Sequence, residues 1–479
     1  MVNTISPCPN SVNLLMPGAI VWNYKNRYLR KLFFILTLLL NVVLVCAQGS
    51  NSEKVFIKNI KLIDGTGGPI QNNTTVLIED GVFKKVFNSP EFKIPKNVKI
   101  IDGKGKTMIP GLIGVHNHLH IPGNPFLGEI ATKLYLASGV TTIQTCGAAS
   151  PEKEIEIARK IETGEISGPE IIPSGPYITG IGGNMNMIIP QNEDQLRDLI
   201  KFWKDKGARW FKVYRNIEPE FLEIVIDEAH KNKLKVTGHL CSITFKEASE
   251  MGIDAIEHGL NSVSDFRGKK KAGKCSGSRE YIDELDLASV EVEDLLDLLV
   301  ENGTVLTSTL SIYEASVPSR KFIDERSLEI MSESFRNNFQ NVSNSSNKEV
   351  SKTRKKRLKR IMEFEYRFYK KGGILSAGVD AGRHVLPGFG DQRNFILLKE
   401  AGFTTQEVIH IMTKNGAVKL GRTDIGTIET GKRADFMILD GDLEFDEKAI
   451  KRIYKVYKNG FSYNPGSLLK GLKGKYGNF

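Results

Sequence analysis

The side chains best able to do chemistry in this 479-residue chain are concentrated in PGLIGVHNHLH, residues 110–120. Pro110 and Gly111 interrupt what precedes, and Leu112, Ile113 and Val115 read as a buried strand with imidazoles at its end. Residues two apart on a strand face the same way, so His116 and His118 can reach one metal ion together. His120 continues the alternation as a ligand, a substrate contact or neither. Further ligand types follow near the ends of apolar runs: Lys212 in FKVY, His239 in VTGHL, His258 in AIEHG and Asp380 in SAGVDAG. Singly, each has a bland explanation. A lone histidine at a strand end is commonly a hydrogen-bonded structural residue, Asp380 could cap a helix, and Lys212 could be an exposed strand residue. Their recurrence over five strands is what points to a metal centre.

Such a set needs several strands converging at one end. Candidate strands lie at 111–116, 140–145, 171–178, 211–214, 235–238, 253–257, 305–310 and 374–379, with helical stretches such as EDQLRDLIKFWKDKGA between most of them. Alternating βα units imply a parallel sheet, and eight of them over about 310 residues predict an α/β fold, a (β/α)8 TIM barrel with chemistry at the C-terminal strand ends. A doubly wound open sheet is the alternative, but no GxGxxG follows an early strand. Short alternating runs flank the barrel: VFIKNIKLIDGTG, TTVLIEDGVFKKVF and KIIDGKGKTMI before it, ADFMILDGD and IYKVYKNGFSY after it. Asp64-Gly65, Asp80-Gly81 and Asp102-Gly103 mark turns between the first runs. The two ends of the mature chain are therefore expected to form one small β-sandwich domain, from 53–108 and 424–479, around a barrel at 109–423. Insertions at 262–290 and 313–371 break the rhythm and are expected to overhang the barrel mouth.

The formal charge of +10 invites a nucleic-acid reading. Much of the excess, however, lies in Lys25 to Lys31, in Lys269, Lys270, Lys271 and Lys274, and in Lys352 to Arg360, without the aromatic interleaving of a stacking platform, so no nucleic-acid partner is predicted. After the first of these clusters, Leu32 to Val45 is an apolar run, followed by Cys46-Ala47 and a polar stretch. That order describes a leader and signal peptide over 1–48, cleaved after Ala47, and too short for a comfortable membrane span. It predicts a secreted or periplasmic protein. An uncleaved anchor is the alternative; bulky Val45 argues against lipidation of Cys46, and the start could be Met16. Of 5 cysteines, Cys8 and Cys46 would be lost. Cys146, Cys241 and Cys275 form an odd set without framework spacing, so no disulfide scaffold is predicted.

The opening PGLI…HNH, the IEHG, the AGVDAG and the closing TDIGTIETGKRADFMILDGD resemble the amidohydrolase superfamily, in its imidazolonepropionase-like and Xaa-Pro-dipeptidase-like branch. The resemblance runs from about Val55 to the C-terminus. It implies two divalent metal ions, with zinc the expected metal: His116, His118 and Asp380 on the buried one, His239 and His258 on the other. Lys212, carboxylated by carbon dioxide, would bridge both. Imidazole and carboxylate donors suit zinc. A lysine ligates only when deprotonated, so burial beside cations should depress its pKa before it captures carbon dioxide. A hydroxide between the metals would be the nucleophile, Asp380 would shuttle its proton to the leaving group, and Tyr214 would either donate to the oxyanion or pack in the core.

Three departures concern the substrate side. Gly114 stands where the family often has Asp, Asn184 follows Gly182-Gly183 where relatives often have His, and Gln392-Arg393-Asn394 replaces a His-x-Glu pattern. His120, Asn184, Gln392 and Arg393, with Met185, Met187 and the basic loop 267–274, are the expected pocket residues. The reading is a hydrolase of an amide, peptide-like or ester bond in a small molecule, with homo-oligomerisation left open. A mononuclear deaminase or cyclic-amidine hydrolase would dispense with Lys212, and no carboxylate follows His239 in Leu240-Cys241-Ser242-Ile243. An inactive extracellular binding protein would have no reason to keep all six ligand residues.

Overall fold

The β-rich runs at the two ends of the chain meet in one mixed sheet. In the computed structural model, which describes residues 54–88, 98–121, 126–184, 186–320, 324–337, 348–382 and 384–477, the first part supplies β1 (Val55–Leu62), β2 (Gln71–Glu79), β3 (Val82–Phe87), β4 (Lys99–Asp102) and β5 (Lys106–Pro110). The expected leader and signal segment and Met185 lie outside the described residues. Asp80 and Gly81 both take positive φ, 56° and 72°, as a two-residue hairpin turn between β2 and β3 requires.

The barrel follows as β6 (Leu112–Asn117), β7 (Val140–Thr145), β8 (Glu170–Ile172), β9 (Ser174–Ile178), β10 (Trp210–Val213), β11 (Lys235–Gly238), β12 (Ala255–Glu257), β13 (Val305–Ser308) and β14 (Leu375–Ala377). All these pairings are parallel, β6-β7-β8 on one side and β9 through β14 on the other. The single strand expected at 171–178 is thus two, divided at Pro173. Proline has no N–H to offer the ladder, so β8 pairs with β7 while β9 pairs with β10. The circle closes where the Asp380 amide donates to His116 O at 2.8 Å. The strands expected to run to 310 and 379 stop at Ser308 and Ala377, and the ligand-type residues sit in the turns just beyond. His258 and Asp380 have φ of 76° and 47° there, conformations a side chain adopts only when its surroundings impose them.

The chain then returns through β15 (Phe436–Asp440), β16 (Ile453–Lys458) and β17 (Phe461–Tyr463). β15 pairs antiparallel with β5, giving the order β17-β16-β15-β5-β1-β2-β3, with β4 beside β1. This small domain has its own apolar core, in which Phe436 stacks on Tyr457 beside Ile57, Val76 and Phe83. The expected sandwich-like domain from both chain ends is therefore present.

Alternation sorts the barrel residues into two sets. Phe211, Val236, Ile256, Leu306 and Leu375, one from each of β10 to β14, lie in the main apolar cluster. Their neighbours Lys212, Thr237, Glu257, Thr307 and Ser376 form a buried polar layer, in which Thr237 bonds Glu257 and Thr307 bonds Ser376. An interior normally filled by branched aliphatics is here polar beneath the strand ends.

Candidate metal centre

His116, next to last in β6, has its two ring nitrogens engaged in opposite directions. Its Nδ1 lies 2.6 Å from Glu257 Oε2, and Glu257 Oε1 accepts from Lys419 Nζ at 2.8 Å and from the Thr237 hydroxyl. Lys419, at the end of the helix Lys414–Lys419, also donates to Thr307 Oγ1 at 2.8 Å and Val115 O at 3.2 Å. This carboxylate holds the ring so that Nε2 faces the barrel axis, 3.1 Å from Lys212 Nζ and 3.6 Å from Asp380 Oδ1. His118 Nε2 is 3.2 Å from the same Asp380 oxygen, and His258 Nδ1 is 3.9 Å from Asp380 Oδ2. His258 is packed between His116 and His239, with ring centroids 4.6 and 4.5 Å away. Six residues from five parts of the chain, His116 and His118 sharing one, thus surround one point at the C-terminal end of the strands.

The donor chemistry suits cations. His116, His118 and Asp380 present ligand atoms within 4.8 Å of one another, and so do His116, Cys146 and Glu257. Burial holds His239 and His258 well below the usual histidine range and His118 down to about 3, so these rings are neutral, the form that ligates. Burial would raise Asp380, but His116, His118 and His258 outweigh it and keep the carboxyl ionised. His116 is the exception: burial opposes its charge, yet Cys146, Glu257 and Asp380 hold its pKa well up. Lys212 departs from expectation in the same way. Burial depresses its ammonium, but Cys146, Glu257, Asp380 and Tyr214 prevail and raise it. The protein groups around Lys212 therefore favour positive charge at this point. The largest charges acting on Lys212 thus raise its pKa, against the expected depression.

An open cavity of about 790 Å³ lies over these residues. His120, Asn184, Met187 and Tyr214 line it, together with Tyr177, Asn261 and Tyr313. Gln392 and Arg393 do not line this cavity. Gln392 is buried between Arg326 and Ser138 O, and Arg393 is paired with Glu314 at 2.6 Å. On the helix Phe389–Glu400 the residues directed at the strand ends are Asp391 and Asn394, three apart on one face. Asp391 Oδ1 is 3.4 Å from Asn117 Nδ2, and Asn394 donates to Gly378 O at 2.7 Å. Gly114 also has a local reason: a Cβ there would fall 2.2 Å from the Asn117 amide. Asn117 occupies the space and donates to Asp391, while its Oδ1 accepts from the Val379 amide.

The basic loop 267–274 is likewise absent from the cavity lining, but it is anchored beside it. Cys241, two residues after His239, forms a disulfide with Cys275, so one bridge exists where none was expected, and Cys146 remains free and buried. Arg267 Nη1 lies 2.9 Å from Cys241 Sγ, and Lys270 donates to Ser242 O at 2.6 Å. Arg279, from the same insertion, donates to Asn261 in the cavity wall. Sequence reasoning missed Cys146, Glu257, Lys419 and Tyr177. Glu257 alone had a local signal, an acid inside IEHG on a strand otherwise apolar.

Comparison with known proteins agrees with this geometry. The Amidohydrolase family model matches residues 107–462. An imidazolonepropionase of Alkaliphilus metalliredigens is 24% identical over 449 residues, covering 87% of this chain and 95% of that protein. Among solved structures, a Xaa-Pro dipeptidase with bound methionine superposes with a TM-score of 0.63 at 20% identity, covering 86% of this chain and 99% of that one. The ochratoxinase of A. niger gives 0.62 at 16% identity, over 89% and 99%. With the family model spanning most of the chain and a two-group ligand cluster at the strand ends, the protein belongs to the amidohydrolase family and is a metal-dependent hydrolase.

Proposed function

We propose that the protein hydrolyses an amide or peptide-like C–N bond, with ester cleavage as a side activity, in a small substrate carrying an anionic group. The observation that carries the reading is the buried Lys212, 3.1 Å from His116 Nε2 and ringed by Cys146, Glu257 and Asp380. Those surroundings fit divalent ions, with zinc the choice most compatible with imidazole and carboxylate donors. His116, His118 and Asp380 would hold one and His239 and His258 the other. Lys212, as its carbamate, would connect them. When bound, the ions lower the pKa of water and polarise the scissile carbonyl.

The chain's own groups then divide the remaining work. Asp380, kept ionised among three imidazoles, receives a proton from the attacking water and returns it to the leaving nitrogen. Tyr214, in the cavity wall with its ring 4.8 Å from His239, donates to the developing oxyanion. Arg215, Arg267, Lys270 and Arg279 supply the anion preference. Hydrogen bonds occupy them with Cys275, Cys241, Ser242 O and Asn261, and no described carboxylate forms an ion pair with any of the four. Arg279 is pushed below its ordinary range by burial and then by Arg267 and Arg215, so an anion arriving here relieves mutual repulsion.

Export to a secreted or periplasmic location is part of the same proposal. The Cys241–Cys275 bridge supports it, because such bonds persist in oxidising compartments. Among the described residues no helix is long and apolar enough to cross a membrane.

The test is metal content by mass spectrometry on protein purified without chelators, with Lys212→Ala beside it. About two metals per chain are expected in the wild type, with a sharp fall in the variant and recovery with a short carboxylic acid. About one metal per chain, indifferent to Lys212, would replace this reading with mononuclear deaminase-like chemistry.

A further inference from the structure

We propose that Glu154 is a positioning residue for the metal centre, acting on His118 through His120 and Tyr177. The proposal rests on the reading of His118 as a ligand. Glu154 lies in the first turn of the helix Pro151–Glu162, where Glu154, Ile157 and Ile161 form the buried face. A carboxylate thus occupies a position from which this helix otherwise presents isoleucine. It is 0% exposed, and burial raises its pKa. Among the described residues it pairs with no lysine or arginine. It faces His120, whose Nδ1 is 3.5 Å from Oε1, and the Thr145 hydroxyl. An isolated buried carboxylate is costly, which makes its one histidine neighbour informative.

His120 carries the contact onward. Its Nε2 is 3.3 Å from the Tyr177 hydroxyl, and that hydroxyl is 3.4 Å from His118 Nδ1. Tyr177 is buried on β9 with its ring against the backbone of Gly147, where a Cβ would fall 2.3 Å from the ring. His118 meanwhile turns Nε2 toward Asp380 at 3.2 Å. Four residues therefore lead from a buried carboxylate to the back of a candidate ligand.

One proton arrangement is compatible with ligation through His118 Nε2. That nitrogen must offer its lone pair, so the ring proton sits on Nδ1 and is donated to the Tyr177 oxygen. Tyr177 then donates its own proton to His120 Nε2, which leaves the His120 Nδ1 proton directed at Glu154 Oε1, 3.5 Å away, two buried atoms with no other hydrogen-bond partner among the described residues. The series ends on that carboxylate, the one charged group His120 Nδ1 faces. Such outer hydrogen bonds fix the ligand's tautomer and ring angle and raise its basicity, and losing them typically weakens metal binding 10–100-fold. In sequence, PEKEIEIARKIETG reads only as a helical stretch.

The test compares wild type with Glu154→Leu, Glu154→Gln, Tyr177→Phe and the Leu/Phe double variant. The readouts are zinc affinity by chelator competition, the visible absorption of the cobalt-loaded protein, and the melting temperature. Glu154→Leu fills the space without an acceptor, so it should melt no lower than wild type while binding zinc about tenfold more weakly with a shifted cobalt spectrum. Tyr177→Phe should do the same, and the double variant should bind no worse than Tyr177→Phe alone. Wild-type affinity and spectrum in Glu154→Leu, or losses that multiply in the double variant, would overturn the proposal. Should the leucine variant fail to fold, Tyr177→Phe carries the comparison alone, with Glu154→Gln, which keeps an acceptor for His120 Nδ1, expected to stay closer to wild type. A His118→Asn protein that binds zinc as wild type does would instead sink the ligand assignment beneath it.

Discussion

Glu365 offers a pH experiment with a definite sign. It lies on the long helix Lys348–Lys370, behind the turn that carries His258, and is 1% exposed. Ser308 donates to its Oε2 at 2.7 Å, whereas Oε1 has no partner among the described residues. Burial, only partly opposed by Ser308, pushes its pKa from the ordinary 4.5 to about 8. The folded protein therefore holds this proton more tightly than the unfolded chain does. Its contribution to stability is fully present below pH 4.5 and is lost as pH rises through about 8. At about 1.4 kcal/mol per pH unit, the loss over that window amounts to on the order of 5 kcal/mol, an upper figure because local relaxation reduces it. Glu365→Gln keeps an acceptor for Ser308 and cannot ionise. Urea unfolding of both proteins between pH 5 and 9 should give near-equal midpoints at pH 5 and a variant increasingly more stable up to about pH 8. Parallel curves, or a gap that widens toward acid, would refute the reasoning.

Other perturbations have equally specific outcomes. Lys419→Met leaves Glu257 buried with only His116 and hydroxyl partners, so it should destabilise by about 3–5 kcal/mol in denaturant titration and weaken zinc binding as well. Gly114→Ala places a methyl 2.2 Å from the Asn117 amide, so it should cost about 1–3 kcal/mol, visible as a lower melting temperature. Cys275→Ser frees the insertion from Cys241. It should raise KM for anionic substrates more than it lowers kcat, with a stability loss of about 2–4 kcal/mol; equal effects on anionic and neutral substrates would remove the insertion from substrate recognition.

How much of this was legible depended on how local each signal is. His116, His118, His239, His258 and Asp380 announced themselves because a parallel barrel brings its strand ends together by topology, so short motifs read separately could be summed. The two-ended small domain was visible for a similar reason, as alternating runs and Asp-Gly turns recur at both ends. Contacts between distant residues were not visible. Glu257 meets Lys419 across 162 positions, and Cys241 meets Cys275 across an insertion whose path no spacing rule predicts. Gln392 and Arg393 failed through helical phase: the motif placed the right helix at the site, but Asp391 and Asn394 occupy its inner face. Glu154 was hidden among exposed charges on the same helix, because burial of one acid in a polar run leaves no trace in composition.

The pairing of β5 with β15 has a consequence for modularity. The last strand before the barrel and the first strand after it lie side by side, Pro110 opposite Phe436, about 5 Å apart as neighbouring strands are. The whole barrel is thus a loop that leaves and re-enters one sheet at adjacent positions. A segment so mounted can be exchanged, duplicated or grafted without redrawing the core of its host, provided its own ends stay one strand spacing apart. The small domain then serves as a standard socket, on which barrels with different pockets can be fitted while the fold of the socket stays the same.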